Sequence, residues 1–322
     1  MKKRIAALVL CLALVFALAA CGGESGEKLS FGTGGDSGTY YAFGGALAGY
    51  VTEKTDTAVT AITSSGSQAN IEDIASGAIQ LGFVQSDVMD YAYNGTRLFV
   101  DKDTGESAPV TNFSTVAALY MEQVQIVTLD PNIKTVADLE GKNVSIGANG
   151  SGVYFNALDI LGAYDLTEED ITPQYQDFAT SVDSLKDGKI DAAFIVAGAP
   201  TTSIVQLATT QEVHLVSLDQ EHIDKLIEVS PYYSAYTIGA DVYGTAEDCT
   251  TVAISAVLIG RADLDPDAAY TIVYTLFQNA DKISHAKAAE LSREFGASVT
   301  DVPYNEGAAR YFEEQGFTVP TA

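Results

Sequence analysis

A glycine-rich loop occupies residues 31–41, where the sequence reads FGTGGDSGTYY. It follows an apolar run that contains Leu29, and it opens a helix-like segment at residues 40–50. Glycine lets the backbone turn sharply and approach another molecule, and the first turn of a helix presents unpaired N–H groups. The spacing fits no phosphate motif, because position 37 is Ser where the dinucleotide pattern needs Gly and no Lys follows. The loop therefore predicts a strand-to-helix turn that either binds an anion through its backbone or binds nothing.

A second copy of this arrangement lies at residues 147–155, where the sequence reads GANGSGVYF. It again follows an apolar run and opens a helix-like segment. Residues 71–83 also have a counterpart at residues 182–194, with apolar residues and one glycine at equivalent places. Repeats of this length favour two similar α/β units over a solenoid.

The chain begins with a leader that is typical of exported proteins. Residues 1–4 read MKKR, and an apolar stretch at residues 5–20 ends in small residues. This pattern predicts a secretory signal, and the stretch is too short for a good membrane span. The tetrapeptide at residues 18–21, LAAC, looks like a bacterial lipobox and predicts cleavage before Cys21 and lipid on its thiol. Residues 21–28 are small and polar, so we expect a flexible tether there.

The charge balance is strongly acidic. The sequence has 17 Lys and Arg against 43 Asp and Glu, a formal net charge of −26. Removal of the signal takes away Lys2, Lys3 and Arg4, three positive charges, and leaves −29. Such a surface repels nucleic acid and anionic lipid headgroups. Among the cysteines, Cys249 alone would keep a free thiol, so no intramolecular disulfide is expected.

Polar residues follow several predicted strands at their carboxyl ends, where open α/β sheets bind ligands. Residues 63–70 follow a strand at 58–62, and Gln85, Ser86 and Asp87 follow a strand at 79–84. Residues 197–201, AGAPT, follow a strand at 190–196. These polar side chains are predicted either to contact a ligand or only to cap helices, and residues 197–201 either approach a ligand or form a plain turn.

Catalytic and metal-binding patterns are weak. The histidines His214, His222 and His285 stand beside no nucleophile in a known arrangement, and no G-x-S-x-G elbow is present. No grouping has zinc spacing. Residues 101–106 resemble a calcium loop only faintly, and we expect a solvated hairpin tip there. The sequence therefore predicts no cofactor, no metal and no enzymatic activity.

The remaining pattern predicts where the chain passes between the two units. Residues 116–120 and 124–129 are strand-like, as are residues 213–218 and 251–259. We expect crossings near residues 118–124 and 228–240. Helices are predicted at residues 267–279, 281–295 and 307–314.

Five segments together resemble the TAXI solute-binding proteins that serve TRAP-type transporters. They are GTGGDSGTYYAFGGALA, TSSGSQANIEDIASGAIQLGFVQSD, DLEGKNVSIGANGSGVYF, DGKIDAAFIVAGAP and VPYNEGAARYFEEQGF. The resemblance runs from about residue 29 to residue 317. Two places depart from the family pattern: Val153 replaces a frequent Thr, and residues 305–308 replace a His-Pro-Gly-Ala segment.

The resemblance implies an α/β, two-lobed periplasmic-binding-protein fold of type II-like form, with the ligand cleft between the lobes. We expect residues 29–121 and 229–322 in the first lobe and residues 122–228 in the second. The implied protein is a lipid-anchored receptor outside the cell membrane that passes an amino acid such as glutamate, or a small organic acid, to TRAP membrane subunits. Carried over position by position, the expected ligand-binding residues are Gly38, Thr39, Tyr40, Ser67, Asn70, Gln85, Asp87, Gly150, Ser151, Gly198 and Pro200.

Alternatives to the receptor hypothesis remain, namely an exported enzyme on the same bilobed fold and a surface protein that contacts other macromolecules. For the receptor, no matched segment supplies Arg or Lys to the predicted site, so we expect backbone N–H groups and hydroxyls to hold a carboxylate. Asp87 would then suit a ligand ammonium. The competing hypothesis brings Arg97 or Lys142 into the cleft.

Overall fold

The computed structural model describes residues 27–101 and 103–321, and the predicted signal and Cys21 lie outside them. The strands are β1 Lys28–Gly32, β2 Ala58–Ile62, β3 Leu81–Gln85, β4 Phe113–Thr128, β5 Asn143–Ser145, β6 Thr172–Gln174, β7 Ala192–Ala197, β8 His214–Leu215, β9 Ser234–Ile238 and β10 Cys249–Arg261. The α-helices are α1 Thr39–Lys54, α2 Ser67–Ser76, α3 Ser86–Asn94, α4 Val153–Ala163, α5 Phe178–Lys186, α6 Thr202–Ala208, α7 Gln220–Val229, α8 Pro266–Gln278, α9 Arg293–Gly296 and α10 Glu306–Glu314. Short 3₁₀ turns lie at Val136–Leu139, Glu168–Asp170, Ala240–Val242, Ala280–Lys282 and Ala286–Glu290.

The sheet combines parallel outer strands with two long antiparallel strands at its centre. Its order is β2-β1-β3-β10-β4-β7-β5-β6, with β8 beside β4 and β9 beside β10. The pairs β1–β2, β1–β3, β5–β6 and β5–β7 are parallel, whereas β10 runs antiparallel to both β3 and β4. The α/β class expected from the repeat is therefore correct, and the long central strands carry the chain through both units.

The apolar core divides at the centre of these two strands. One buried cluster takes β4 up to Tyr120 and β10 from Ala256, together with α1, α2, α3, α8 and α10. Two further clusters take β4 from Val124 and β10 up to Ile254, together with α4 to α7. The first cluster contains consecutive residues of β4 and β10 and so covers both faces of its sheet segment, whereas the other two clusters cover opposite faces of theirs. Helices packed on both faces of a sheet are how an α/β unit becomes stable. We call the first group the first lobe and the second group the second lobe.

The lobe bounds of the sequence analysis stay a prediction, but side chains between residues 233 and 254 pack into the second lobe instead of the first. Tyr233, Ile238 and Ile254 fall within the predicted first lobe at 229–322, yet their side chains pack into the clusters of the second lobe. They do so because β9 pairs with the first half of β10. The second passage between lobes therefore lies within β10, near Ser255, rather than at residues 228–240.

Some predicted elements differ from the structure. Residues 281–295 do not form one helix; two 3₁₀ turns and α9 occupy this region. His285 and Ser292 interrupt the segment as N-caps: Nδ1 of His285 accepts a hydrogen bond from the N–H of Lys287, and the Ser292 hydroxyl accepts one from the N–H of Phe295 at the start of α9. Residues 213–218 contribute only the two-residue strand β8. Residues 116–129, predicted as two strands, lie mostly within the single strand β4.

The two glycine loops occupy equivalent places in the two lobes. The first joins the carboxyl end of β1 to the beginning of α1, and the second joins the carboxyl end of β5 to the beginning of α4. Because both strands are parallel members of their sheet segments, the two loops face each other across the gap between lobes. This arrangement positions the candidate site.

Candidate functional site

A cavity of about 200 Å³ lies between the two glycine loops. Both lobes contribute to its wall, and so does the middle of β4, through Glu122. The wall consists of Gly34, Gly35, Gly38, Thr39, Tyr40, Ser64, Ser65, Gly66, Ser67, Gln85, Glu122, Ala148, Ser151, Gly152, Val153, Asp177, Phe178, Val196 and Ala197. Six of the eleven predicted ligand-binding residues are therefore on the wall: Gly38, Thr39, Tyr40, Ser67, Gln85 and Ser151.

The first loop forms a turn and then contacts the second lobe. The N–H of Gly38 donates to the carbonyl of Gly35 at 3.0 Å, which closes the turn before α1. The Thr39 hydroxyl donates to the carbonyl of Gly198 at 2.9 Å and is buried. The predicted role of the Thr39 hydroxyl was a bond to the ligand, whereas here it is used in a contact between the lobes.

Ser67 and Asn70 organise the floor of the first lobe. The Ser67 hydroxyl accepts a hydrogen bond from the N–H of Gln85 at 3.0 Å. The Asn70 side-chain amide donates to the carbonyls of Thr33 and Phe83, at 2.8 and 2.7 Å, and so ties the end of β1 to β3. Asn70 is fully buried behind the wall and does not line the cavity.

The second loop closes against the first lobe through backbone groups. The carbonyl of Gly150 accepts from the N–H of Ala69 at 3.0 Å, and Gly150 adopts φ +84°, a left-handed conformation that favours glycine. A side chain at Gly152 would overlap the amide of Gln85. Glycine at these two positions therefore allows the close approach of the lobes, although Gly150 itself does not line the cavity.

Asp87 lies between the lobes but outside the cavity wall. Its Oδ2 accepts from the Asn156 side-chain amide at 3.0 Å, and its Oδ1 accepts from the N–H of Val88 at 2.7 Å. Complete burial raises the pKa of Asp87 to about 8. Because its partners come from the protein, Asp87 is not placed to receive an ammonium group in the cavity.

Gly198 and Pro200 also do not line the cavity. The Gly198 carbonyl accepts from Thr39, as described above, and a side chain at this position would overlap the Lys287 side chain. Pro200 is exposed and follows a cis peptide bond with Ala199. These two residues shape the lobe contact beside the cavity rather than its surface.

Four buried polar atoms of the wall have no hydrogen-bond partner. They are Tyr40 Oη, Gln85 Oε1, Glu122 Oε2 and Ser151 Oγ. A buried polar atom without a partner costs free energy of about 1–3 kcal/mol. Four of them around one cavity indicate groups that are arranged to bind a polar molecule.

Glu122 is the main residue that the sequence analysis missed. It is 2% exposed, and burial raises its pKa to about 8. Its sequence signals were a single acid within the long apolar run that forms β4 and a position inside the crossing expected at residues 118–124. Asp177 and Phe178 were also missed, although the repeat offset that aligns residues 71–83 with residues 182–194 brings Phe178 over Ser67, so each begins the equivalent helix in its lobe.

Basic residues are absent from the cavity wall within the described parts of the chain. Arg97 is one of the two basic residues that could have entered the cleft. It instead forms an ion pair with Asp159 across the lobe contact. Lys142 is partly exposed and is not part of the wall. Over residues 27–101 and 103–321, no cluster of His, Cys, Asp and Glu has the geometry to hold a metal ion, and no helix has the length and apolarity of a membrane span.

Comparison with known proteins assigns both family and fold. The sequence profile described as the NMT1-like family matches residues 31–316. The alkanesulfonate-binding protein SsuA of Xanthomonas axonopodis pv. citri, solved with MOPS bound, superposes with a TM-score of 0.51 at 16% identity, over 90% of this chain and 85% of that one. A protein of Bordetella bronchiseptica RB50 superposes with a TM-score of 0.52 at 16% identity, over 92% of this chain and 91% of the other. The ligand-binding component of an ABC-type import system of Staphylococcus aureus, solved with zinc, superposes with a TM-score of 0.50 at 12% identity, over 92% and 94%. At these identities the likeness defines the fold, which is that of periplasmic binding proteins.

Proposed function

This chain belongs to the NMT1-like family, and from that premise we propose that it is an exported, lipid-anchored receptor for a small polar solute. The observation that carries the proposal is the set of four buried polar atoms without a hydrogen-bond partner around one cavity, Tyr40 Oη, Gln85 Oε1, Glu122 Oε2 and Ser151 Oγ. A solute that bonds to these atoms removes their desolvation cost, which favours binding.

The cavity volume limits the size of the solute. At roughly 30 Å³ per water molecule, a cavity of about 200 Å³ corresponds to about seven waters. An amino acid such as glutamate, or a small organic acid, is of that size. Thr39 and Val153 line the cavity and are the first residues of α1 and α4, so the N-terminal turns of both helices are available to a carboxylate of the solute.

The lobe contacts support binding by closure. Thr39 bonds to Gly198, Ala69 to Gly150 and Asn156 to Asp87, and each of these bonds joins one lobe to the other. They hold the lobes together beside the cavity, so opening of the lobes breaks these bonds. A receptor of this kind closes on its solute by hinge motion, here about the central parts of β4 and β10.

Delivery to a TRAP-type transporter is the finer part of the proposal. It rests on the five sequence segments that resemble TAXI proteins, since the fold is shared with components that are named for other import systems. Lipid attachment at Cys21 would hold the receptor beside the membrane partner. A location on the outer face of the membrane or in the periplasm follows from the same signal.

The enzyme alternative lacks a reactive pair on the described wall. Ser67 accepts a hydrogen bond from the backbone of Gln85, and Ser151 Oγ has no neighbouring base. A nucleophile needs such a base within hydrogen-bond reach. The wall therefore favours binding without chemistry.

The proposal is tested by mass spectrometry of the small molecules that the protein releases on denaturation after purification from cells. We expect one small polar solute in amounts close to the amount of protein. Isothermal titration of that solute should then show weaker binding to Ser151→Ala by about 1 kcal/mol or more. Release of no solute, together with turnover of a small molecule by the purified protein, would instead support the enzyme.

A further inference from the structure

Glu122 is an acid in the centre of the molecule, where the two lobes meet. It lies on β4 opposite Ile254 of β10, at the place where both strands pass between lobes. Its side chain is 2% exposed and lines the cavity, and its Oε2 has no hydrogen-bond partner. An isolated carboxylate in such a place is strongly disfavoured unless a cation or several donors compensate it.

The protein itself supplies little compensation. The groups that face Glu122 are the hydroxyl of Tyr40, the Lys287 ammonium and the Asp87 carboxyl. The Tyr40 hydroxyl lies beside the Glu122 carboxyl and lowers its pKa, although the two side chains do not meet in a hydrogen bond of normal geometry. The Asp87 carboxyl raises the pKa of Glu122 further, in addition to the effect of burial.

Lys287 is already paired with another acid. Its Nζ lies 2.6 Å from Oε1 of Glu290 and 5.5 Å from the ring centre of Tyr120, and the residue is 6% exposed. It does not line the cavity. Its charge lowers the pKa of Glu122 only in part, since the pKa remains raised to about 8. A full countercharge for an ionised Glu122 would therefore come from outside the chain.

The other unpartnered atoms suit the same partner. Gln85 Oε1 is a second acceptor, and the hydroxyls of Tyr40 and Ser151 accept as well as donate. An ammonium group has three donors, which matches one carboxylate, one amide oxygen and one hydroxyl. The acidic surface of the mature protein also attracts cations over a distance and repels simple dicarboxylates.

We propose that Glu122 binds a cationic nitrogen of the solute, with Gln85 Oε1 as the second acceptor, so that the cavity selects amino acids and amines over acids without nitrogen. This inference rests on the proposed receptor function and narrows its solute class. It assigns to Glu122 the role that the sequence pattern suggested for Asp87.

The test uses matched pairs of compounds that differ in one amino group. The twenty common L-amino acids and their deaminated acids, for example L-glutamate and glutarate, are screened by thermal shift, and every compound that binds is titrated by calorimetry. We expect binding by an amino compound and at least a hundredfold weaker binding by its deaminated counterpart. Glu122→Gln should weaken the amino compound by tenfold or more, whereas Glu212→Gln, at an exposed acid outside the site, should leave its affinity unchanged.

Proton exchange gives a second readout that does not depend on folding defects. With its pKa near 8, Glu122 is mostly protonated at pH 7, and a bound cation favours its ionised form. Calorimetry in phosphate and in Tris, buffers of different ionisation enthalpy, should therefore show release of close to one proton per ligand, and Glu122→Gln should abolish that release. No proton release, or only a slight uptake, would mean that a protonated Glu122 donates to the solute, which overturns the inference.

The outcomes separate this inference from the proposed function. If the deaminated acid binds as tightly as the amino acid, or if denatured protein releases a solute without cationic nitrogen, the receptor stands and the role of Glu122 is wrong. If neither set binds and denatured protein releases no solute, both the receptor and the inference fail.

Discussion

The side-chain amide of Asn156 donates to Oδ2 of Asp87 at 3.0 Å, so that a helix of the second lobe is bonded to an acid of the first. The same amide bonds to the hydroxyl of Tyr233 at 2.9 Å, and that hydroxyl donates to Asp159 at 3.2 Å. Asp159 in turn pairs with Arg97. This chain of contacts lies beside the solute cavity and holds the lobes together independently of any solute.

Replacement of Asn156 by Ala should weaken the lobe contact. The change removes both bonds of the amide and leaves Asp87 with only the N–H of Val88. We expect the free energy of unfolding to fall by about 1–3 kcal/mol, measured by urea denaturation. Asn132→Ala, which removes an exposed amide that bonds only to its neighbour Asp130, should change it by less than about 0.5 kcal/mol. Equal effects of the two changes would show that the Asn156 bonds do not stabilise the folded protein.

The free energy of unfolding should depend on pH because the pKa of the buried Asp87 is raised in the folded protein. Its pKa is raised from 3.8 to about 8 in the folded protein, so between these values the folded state holds one proton more than the unfolded state. The stabilisation relative to Asp87→Asn should therefore be greatest below about pH 4, decline as the pH rises and vanish above about pH 8. Urea denaturation of both proteins at pH 5, 6, 7 and 8 measures this difference. The exposed Asp281 provides the control: wild type and Asp281→Asn should differ equally at all four values. A constant difference for Asp87→Asn would contradict the raised pKa.

Replacement of Gly152 by Ala should prevent full closure of the cavity. The new methyl group would overlap the Gln85 amide and approach Ser67 Oγ to 2.8 Å, and overpacking of this kind costs about 1–3 kcal/mol. We expect solute affinity to fall by about tenfold or more, measured by calorimetry with the solute that the protein releases. Gly162→Ala is the matched control, because Gly162 is an exposed position within α4 with open space around it. That change should leave affinity unchanged and raise the free energy of unfolding by about 0.5–1 kcal/mol.

Arg97 should stabilise the contact between the lobes. It should not bind the solute, because its charge lies outside the cavity wall. It pairs with Asp159, whose side chain is 7% exposed, and lies 5.2 Å from the ring centre of Tyr91. Arg97→Ala should lower the free energy of unfolding by about 1–3 kcal/mol, between the values for exposed and buried ion pairs. The backbone at Arg97 has φ +55°, and because Ala also has a Cβ, the change isolates the side chain. Lys142→Ala should have little effect, and the idea fails if the two variants are equally stable.

Cys21 should carry the membrane anchor. The small residues before it are typical of a lipoprotein cleavage site, so Cys21→Ser should release the protein from membranes or leave its signal uncleaved. Cell fractionation with mass spectrometry of the N-terminus measures both outcomes. Cys249→Ser serves as the control, since that cysteine is buried in the second lobe. Normal processing and membrane association of the Cys21 variant would rule out this anchor.

The sequence alone established the α/β class, the two glycine loops and most helices and strands, because these follow from local patterns. Apolar periodicity places β3 and α8 within two residues of their observed bounds, and Gly77 ends α2 in a left-handed conformation that favours glycine. The repeat also places the loops at equivalent strand ends. The local pattern fails at residues 281–295, where His285 and Ser292 cap separate short turns and so break the segment.

Tertiary structure decided which polar groups face the cavity. Gln85 and Asp87 are only two positions apart, yet one lines the wall and the other bonds to Asn156, because successive residues at a strand-to-helix junction point in different directions. Glu122 falls between the two strands predicted at residues 116–120 and 124–129, and only the pairing of β4 with β10 places it between the lobes. Lys287 pairs with Glu290, three positions further on, but it meets Gly198 only after the chain folds back from its C-terminal region. Burial and partners determine whether an acid binds a solute or another side chain, and both depend on contacts between residues far apart in the sequence.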